Sequence, residues 1–204
     1  NVPYLRRRVT HSHIWWDGGF SYDELNNIES FCSMLNLKKG LTLHENDELS
    51  NVSNQIRKSS VCFVDKDDTT CWMFERFNSI AESINEQFFG FDLTGYESFQ
   101  YTVYESEGKY DWHMDTILDD QVPDAQARGD TRKLTLVMLL NEPGKDFTGG
   151  DLQINIENQN APLVPQFFKG RIIAFPSFFC HRVSPITSGI RKSIVIWIEG
   201  PKFR

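Results

Sequence analysis

Two hydrophobic rhythms run along the chain. Leu25, Ile28, Phe31, Cys32 and Leu35 recur at helical spacing, and Ser21 with Glu24 forms a capping-box pattern ahead of them. A second helix is predicted from about Thr70 to Phe88, with Met73, Phe77, Ile80, Ala81, Ile84 and Phe88 along one side. Between the helices, SVCFV reads as a strand. From Glu97 onward the rhythm shortens to SFQYTVY, KLTLVMLL, DLQINI, GRIIAF and KSIVIWI, short strands separated by Gly, Pro, Asn and Asp turns. Helices followed by a run of strands predict a β-sandwich or jelly roll with helices packed outside one sheet. No repeat, low-complexity tract or Pro/Gly/Ser linker divides the 204 residues. One domain is expected over 1–204, with helical support over about 1–95 and a β core over about 96–201.

Composition narrows the function classes. Hydrophobic residues at 40% and aromatics at 13%, with 16 Phe and 5 Trp, supply a sizeable core. A net charge of -7 disfavours a protein that grips nucleic-acid phosphates through a generally basic surface. Cys32, Cys62, Cys71 and Cys180 are scattered without a CxxC, so they are expected to be buried thiols in a reducing, cytoplasmic setting. No run of 18 apolar residues exists, and NVPYLRRRVT lacks the apolar stretch of a signal peptide, so no membrane association is expected.

Chemistry concentrates in KYDWHMDT, Lys109 to Thr116. On an extended strand Asp111, His113 and Asp115 project from one face, and two acids beside an imidazole either meet water or hold something positive. A divalent-iron facial triad needs two imidazoles and one carboxylate. His113 and Asp115 offer two ligands, with Asp111 as an alternative carboxylate. The further imidazole has four candidates. His11 and His13 sit in THSHIWW with no acid between them, His44 lies in a charged loop, and His181 follows the apolar strand of GRIIAFPSFFC, where a pocket ligand would emerge. His181 alone could equally be a core histidine bonded to a carbonyl. Arg191 lies within an apolar strand and needs a carboxylate, either that of an ion-pair partner or that of a bound dicarboxylate, with Ser193 pointing the same way.

As an ordered set, YESEGKYDWHMD, RKLTLVMLLN, FTGGDLQI, KGRIIAFPSFFCHRV and GIRKSIVIWIEGP resemble the Fe(II)- and 2-oxoglutarate-dependent dioxygenases, specifically the prolyl 4-hydroxylase-like group that includes the PKHD-type hydroxylases. The resemblance covers roughly residues 96 to 201. It implies a mainly β fold with flanking α-helices, a double-stranded β-helix of the jelly-roll, cupin-like kind. By position it implies His113, Asp115 and His181 as the catalytic metal ligands and Arg191 as the anchor of the 2-oxoglutarate C5 carboxylate. Tyr104, Trp197, Thr135 and Ser193 are implied in the cosubstrate pocket, and Arg132 as a substrate contact. Leu139 stands where several prolyl hydroxylases carry a tyrosine that helps bind 2-oxoglutarate, and Thr135 or Ser193 is expected to compensate. Related halogenases lack the carboxylate ligand, so Asp115 favours hydroxylation.

The implied cofactors are Fe(II), with 2-oxoglutarate and O2 as cosubstrates and ascorbate as a reductant. The implied partner is a peptide or protein substrate containing proline. A free amino acid or other small molecule is the alternative, alkylated nucleic acid is disfavoured by charge, and a noncatalytic cupin-like binding module would need no anchor such as Arg191. The polar stretch Thr116 to Asp130 is expected to act as a lid over the substrate.

Overall fold

The computed structural model describes residues 11–40, 56–96, 98–116, 129–156 and 161–202. The chain passes through β1 (Ile14–Trp16) and α1 (Tyr22–Ser33), then three strands of two to six residues, β2 (Lys38–Lys39), β3 (Arg57–Lys58) and β4 (Ser60–Asp65). α2 (Cys71–Ile84) follows and ends in a π-helical turn over Asn85–Phe89. The remainder is strand: β5 (Ser98–Tyr104), β6 (Lys109–His113), β7 (Asp130–Leu139), β8 (Phe147–Gly149), β9 (Leu152–Ile154), β10 (Ile172–Pro176), β11 (His181–Val183), β12 (Ile186–Gly189) and β13 (Arg191–Pro201).

A seven-stranded sheet in the order β1-β10-β7-β13-β5-β4-β2 faces a four-stranded sheet in the order β3-β6-β11-β9, and β12 pairs with β8 at one end. Every pairing between strands is antiparallel. This is the mainly β jelly roll with flanking helices that the sequence predicts. Among the described residues no helix is long and apolar enough to cross a membrane.

The helices form where local chemistry starts and stops them. Ser21 Oγ accepts from Glu24 N at 3.2 Å while Glu24 Oε2 accepts from Ser21 N at 2.8 Å, the reciprocal cap that opens α1. Arg76 of α2 reaches the same carboxylate, Nη2 to Glu24 Oε1 at 3.0 Å, and so ties the two helices together. The π-helical turn after α2 closes at Gly90, whose φ of 66° a side chain would resist and whose N–H donates to Asn85 O at 2.6 Å.

Alternation in the long strands decides where the core lies and where the site lies. Ile194, Ile196 and Ile198 of β13, with Leu134, Leu136 and Met138 of β7, join Phe77, Ile80 and Ile84 of α2 in the main core. Arg191, Ser193, Val195 and Trp197, one position out of phase, line a cavity on the opposite face, beneath the four-stranded sheet. Burying both faces of β13 explains why its sequence reads as nearly continuous apolar residues interrupted by a few polar ones. All four cysteines are free thiols, but of these Cys32 alone is buried; Cys62, Cys71 and Cys180 are half-buried, so the expectation of four buried thiols is corrected.

Candidate metal centre

β6 and β11 pair with His113 directly opposite His181, which sets the imidazole centroids 4.2 Å apart. The predicted face-sharing strand stops at His113. Beyond it the chain bends, and the amides of Asp115 and Thr116 donate to Ser177 O at 2.9 and 3.1 Å. The bend carries the Asp115 carboxylate to 3.6 Å from His113 Nε2 and 3.3 Å from His181 Nε2. Among the described residues this is the one cluster of three such groups suited to a metal ion, its ligand atoms all within 4.8 Å of one another. Asp111, the alternative carboxylate, accepts from Trp112 N at 2.9 Å and stays outside the cluster. His13 contacts Ser12 and Trp15, and His11 packs on Phe88, while His44 lies outside the described residues.

Both imidazoles are aimed from behind. His113 Nδ1 lies 2.7 Å from Asp111 O and His181 Nδ1 lies 2.9 Å from Phe179 O. A carbonyl oxygen only accepts, so Nδ1 carries the proton in each ring and Nε2 turns its lone pair to the cluster. Burial, with His181 close by, pushes the His113 imidazole down to about 3, so it is neutral at neutral pH. Burial alone would raise the Asp115 carboxyl, but His181, His113, Arg132 and the Thr135 hydrogen bond outweigh it and hold Asp115 below the usual carboxylate range. Thr135 Oγ1 donates to Asp115 Oδ2 at 2.8 Å. Having spent its one proton there, it must accept from Ser177 Oγ at 2.9 Å. The result is a neutral imidazole on His113 and a carboxylate on Asp115, each with an electron pair to give, with His181 Nε2 turned to the same point.

Arg191 enters the same cavity from the start of β13 with 1% of its surface exposed. Its Nη1 donates to Ser193 Oγ at 3.0 Å, whereas Nε and Nη2, the side-on fork that matches a carboxylate, have no partner. An uncompensated buried guanidinium costs several kcal/mol. Burial accordingly lowers its pKa, against the opposing pull of Tyr104 and Asp151. A vacant arginine fork beside a two-histidine, one-carboxylate cluster is a site for a carboxylate that also meets a metal. Comparison with protein families matches residues 99–199 to the 2OG-Fe(II) oxygenase superfamily.

Residues 99–199 of the chain belong to this superfamily.

Similar curated proteins include a PKHD-type hydroxylase of Synechococcus sp. (strain CC9311), 35% identical over 95 residues that make up 47% of this chain and 38% of the relative. Another, from Colwellia psychrerythraea, is 34% identical over 92 residues, 45% of this chain and 38% of the relative. These matches therefore span less than two-fifths of the relatives' length. Among solved structures, a Pseudomonas putida prolyl-4-hydroxylase superposes with TM-score 0.69 at 19% identity, covering 95% of both chains. A prolyl hydroxylase from Trichoplax adhaerens, solved with a hypoxia inducible factor peptide fragment, gives 0.67 at 20% identity over 93% of this chain and 84% of that one. At such identities the likeness is one of fold.

The residues fit the two groups in the superfamily's name. Fe(II) suits the donor set of His113, Asp115 and His181, and a dicarboxylate suits the unpartnered edge of Arg191. The other residues expected in a 2OG-Fe(II) oxygenase fall around them. Tyr104 lies opposite Arg191 in the β5–β13 register and under its guanidinium at 5.4 Å, and burial raises its phenol. Ser193 holds Arg191, Thr135 holds Asp115, and Trp197 lines the cavity with an indole Nε1 that is buried without a partner. Arg132 sits at the mouth, its guanidinium 4.1 Å from the centroid of the Trp197 ring. Leu139 is packed with Tyr104, Phe147, Val183 and Ile186 in a small apolar cluster. The lid expected over 116–130 falls almost wholly outside the described residues.

Sequence reasoning missed Tyr110, Arg57, Gln100 and Ser177. Tyr110 stacks on His113 at 3.5 Å and 11°, and Arg57 lies over the other face of the assembly, 4.5 Å from the Tyr110 centroid. Tyr110 and His113 are three apart, which simple alternation puts on opposite faces. A β-bulge in the β6–β11 pairing restores them to one side, and nothing in KYDWH announces it.

Proposed function

We propose that this protein is an Fe(II)- and 2-oxoglutarate-dependent dioxygenase that hydroxylates an unactivated C–H bond, most specifically prolyl 4-hydroxylation of a peptide or protein. The observation that carries the reading is Arg191, buried with an unpaired carboxylate fork in the cavity that His113, Asp115 and His181 also line. The prolyl part rests on the ordered resemblance in sequence and on relatives named as PKHD-type hydroxylases and prolyl hydroxylases.

When bound, Fe(II) with 2-oxoglutarate supplies the oxidising power that no side chain offers. His113 and His181 hold the metal through Nε2, and Asp115 balances part of its charge. Thr135 and Ser177 hold the carboxylate in its rotamer. Arg191 receives the far carboxylate of 2-oxoglutarate, Ser193 keeps the guanidinium turned toward it, and Tyr104 covers its face. Val137, Leu152, Val183 and Val195 wall the cavity with apolar surface and exclude water from it. Arg132 and Trp197, at the mouth, meet the substrate. Ascorbate is the expected reductant, and the four free thiols suit a reducing compartment such as the cytoplasm.

The test is conversion of 2-oxoglutarate to succinate with Fe(II), followed by a mass screen of proline-containing peptides for the gain of one oxygen. Metal-dependent succinate that disappears in His113→Ala and His181→Ala is expected. Wild-type protein that binds Fe(II) yet makes no succinate under any substrate would sink the reading.

A further inference from the structure

The cavity around the triad opens through Asp115, Tyr110 and Trp197 into an outer cleft of about 570 Å³, a size suited to a small ligand or a residue with its neighbours. The charge of this cleft opposes that of the chain. Among the described residues Lys38, Lys39, Arg57 and Arg132 line it, and the one acidic residue among them is Asp115, already committed to the triad. In a chain with 28 acidic and 21 basic residues, four cations collected around one opening are not a sample of the average surface.

The cations are also held in place. Arg132 lies over Trp197 at 4.1 Å and Arg57, 5% exposed, lies over Tyr110 at 4.5 Å, so two guanidiniums are shelved on aromatic rings flanking the triad. Lys38 pairs with Val61 across β2 and β4, which puts it on the sheet face that also carries Phe63 and Gln100. Among the described residues neither Lys38 nor Lys39 has an ion-pair partner. Like charges gathered this way repel one another, and an anion entering the cleft relieves that repulsion. Between them Val61, Phe63 and Trp197 supply apolar wall, suited to the ring or stem of a residue flanked by charge.

We propose that the substrate is a peptide segment bearing carboxylate side chains on either side of the hydroxylated residue, seated in this cleft. The proposal rests on the hydroxylase reading above and adds the charge of the substrate to it. A single nucleic-acid strand fits less well, because it needs a basic groove that tracks several phosphates. Here the depression on the far side of Lys38 and Lys39 already contains Glu105, and Lys58 beside it is paired with Glu107.

Three fluorescein-labelled peptides of one length, each with a central proline flanked by Asp and Glu, by Asn and Gln, or by Lys, are titrated by anisotropy against protein loaded with Mn(II) and 2-oxoglutarate. The acidic peptide is expected to bind at least about tenfold tighter than its amide counterpart, with the difference shrinking as salt rises. Lys38→Glu with Lys39→Glu, both on the exposed edge strand, should erase that preference while circular dichroism stays unchanged. Equal binding of the three peptides, preference for the Lys peptide, or no binding by any of them overturns the proposal. So does an oligothymidylate that displaces the acidic peptide better than unlabelled peptide does, which would assign the cleft to nucleic acid. Peptide-independent succinate formation by the same preparation reports on the hydroxylase reading separately, so loss of one conclusion is not mistaken for loss of the other.

Discussion

Arg191 is the residue whose position is hardest to justify without a ligand. Its guanidinium is buried, makes one hydrogen bond through Nη1, and leaves Nε and Nη2 without acceptors. Replacing it with methionine removes a charge that the unliganded protein gains little from burying. Arg191→Met is therefore expected to raise the stability of the unliganded protein by on the order of 1 kcal/mol, while 2-oxoglutarate no longer raises its melting temperature. Differential scanning fluorimetry with and without 2-oxoglutarate reads both effects, and a preserved ligand shift would remove Arg191 from the cosubstrate site. Thr135 makes the complementary case. It touches the triad through a single proton, donated to Asp115 at 2.8 Å. Thr135→Val keeps shape and volume but leaves Asp115 free to rotate, so metal affinity should fall about 10–100-fold with little change in fold. Titration with Mn(II) by calorimetry gives that number, and unchanged affinity would mean that Ser177 and the backbone suffice.

At the scale of elements, the two faces of the large sheet do separate jobs. Phe77 of α2 is 1% exposed and packs against Phe20 and Phe99, with ring centroids 4.9 and 6.0 Å away, on the face turned from the site. Phe77→Ala should cost about 3–5 kcal/mol in urea unfolding while the KM for 2-oxoglutarate stays near wild type in the fraction that remains folded. A changed KM with unchanged stability would couple the helices to the site directly. The same division explains what could be read from sequence. α1, α2, β5, β7 and β13 carry enough periods of alternation or helical spacing to identify themselves. β1, β2, β3, β8, β11 and β12 run for two to four residues, too few for any rhythm, and they exist because longer neighbours offer them hydrogen bonds. The motifs that carry His113, Asp115, His181 and Arg191 stood out by residue type and by their ordered resemblance, and the four line one cavity. Arg57 was not, because the two-residue strand β3 brings it to Tyr110 through pairing with β6. Asp115 reaches the cluster for a different reason than the alternation suggested, through a bend fixed by Ser177 O.

For the molecule as a whole, the buried triad links stability to acid. Unfolded, His113 takes up a proton near its ordinary 6.5, and folded only near about 3. Between those values the unfolded chain holds the extra proton, so falling pH favours unfolding by up to about 1.4 kcal/mol per unit across that window. Asp115 acts in the same direction. Its folded pKa lies below the ordinary 3.8, so the stability it contributes is present above that value and is lost as pH falls through the folded one. A divalent ion on the three groups opposes both protonations at neutral pH, since it needs the same lone pairs. Protein treated with EDTA should therefore lose urea resistance steadily from about pH 6.5 downward. Protein saturated with Mn(II) should hold a higher midpoint near pH 7 and converge on the EDTA curve as acid strips the metal. Each His113→Gln variant curve should lie flatter than wild type across that range, because glutamine has no proton to gain. Parallel slopes for wild type and His113→Gln, with or without Mn(II), would show that the acid response arises elsewhere in the chain.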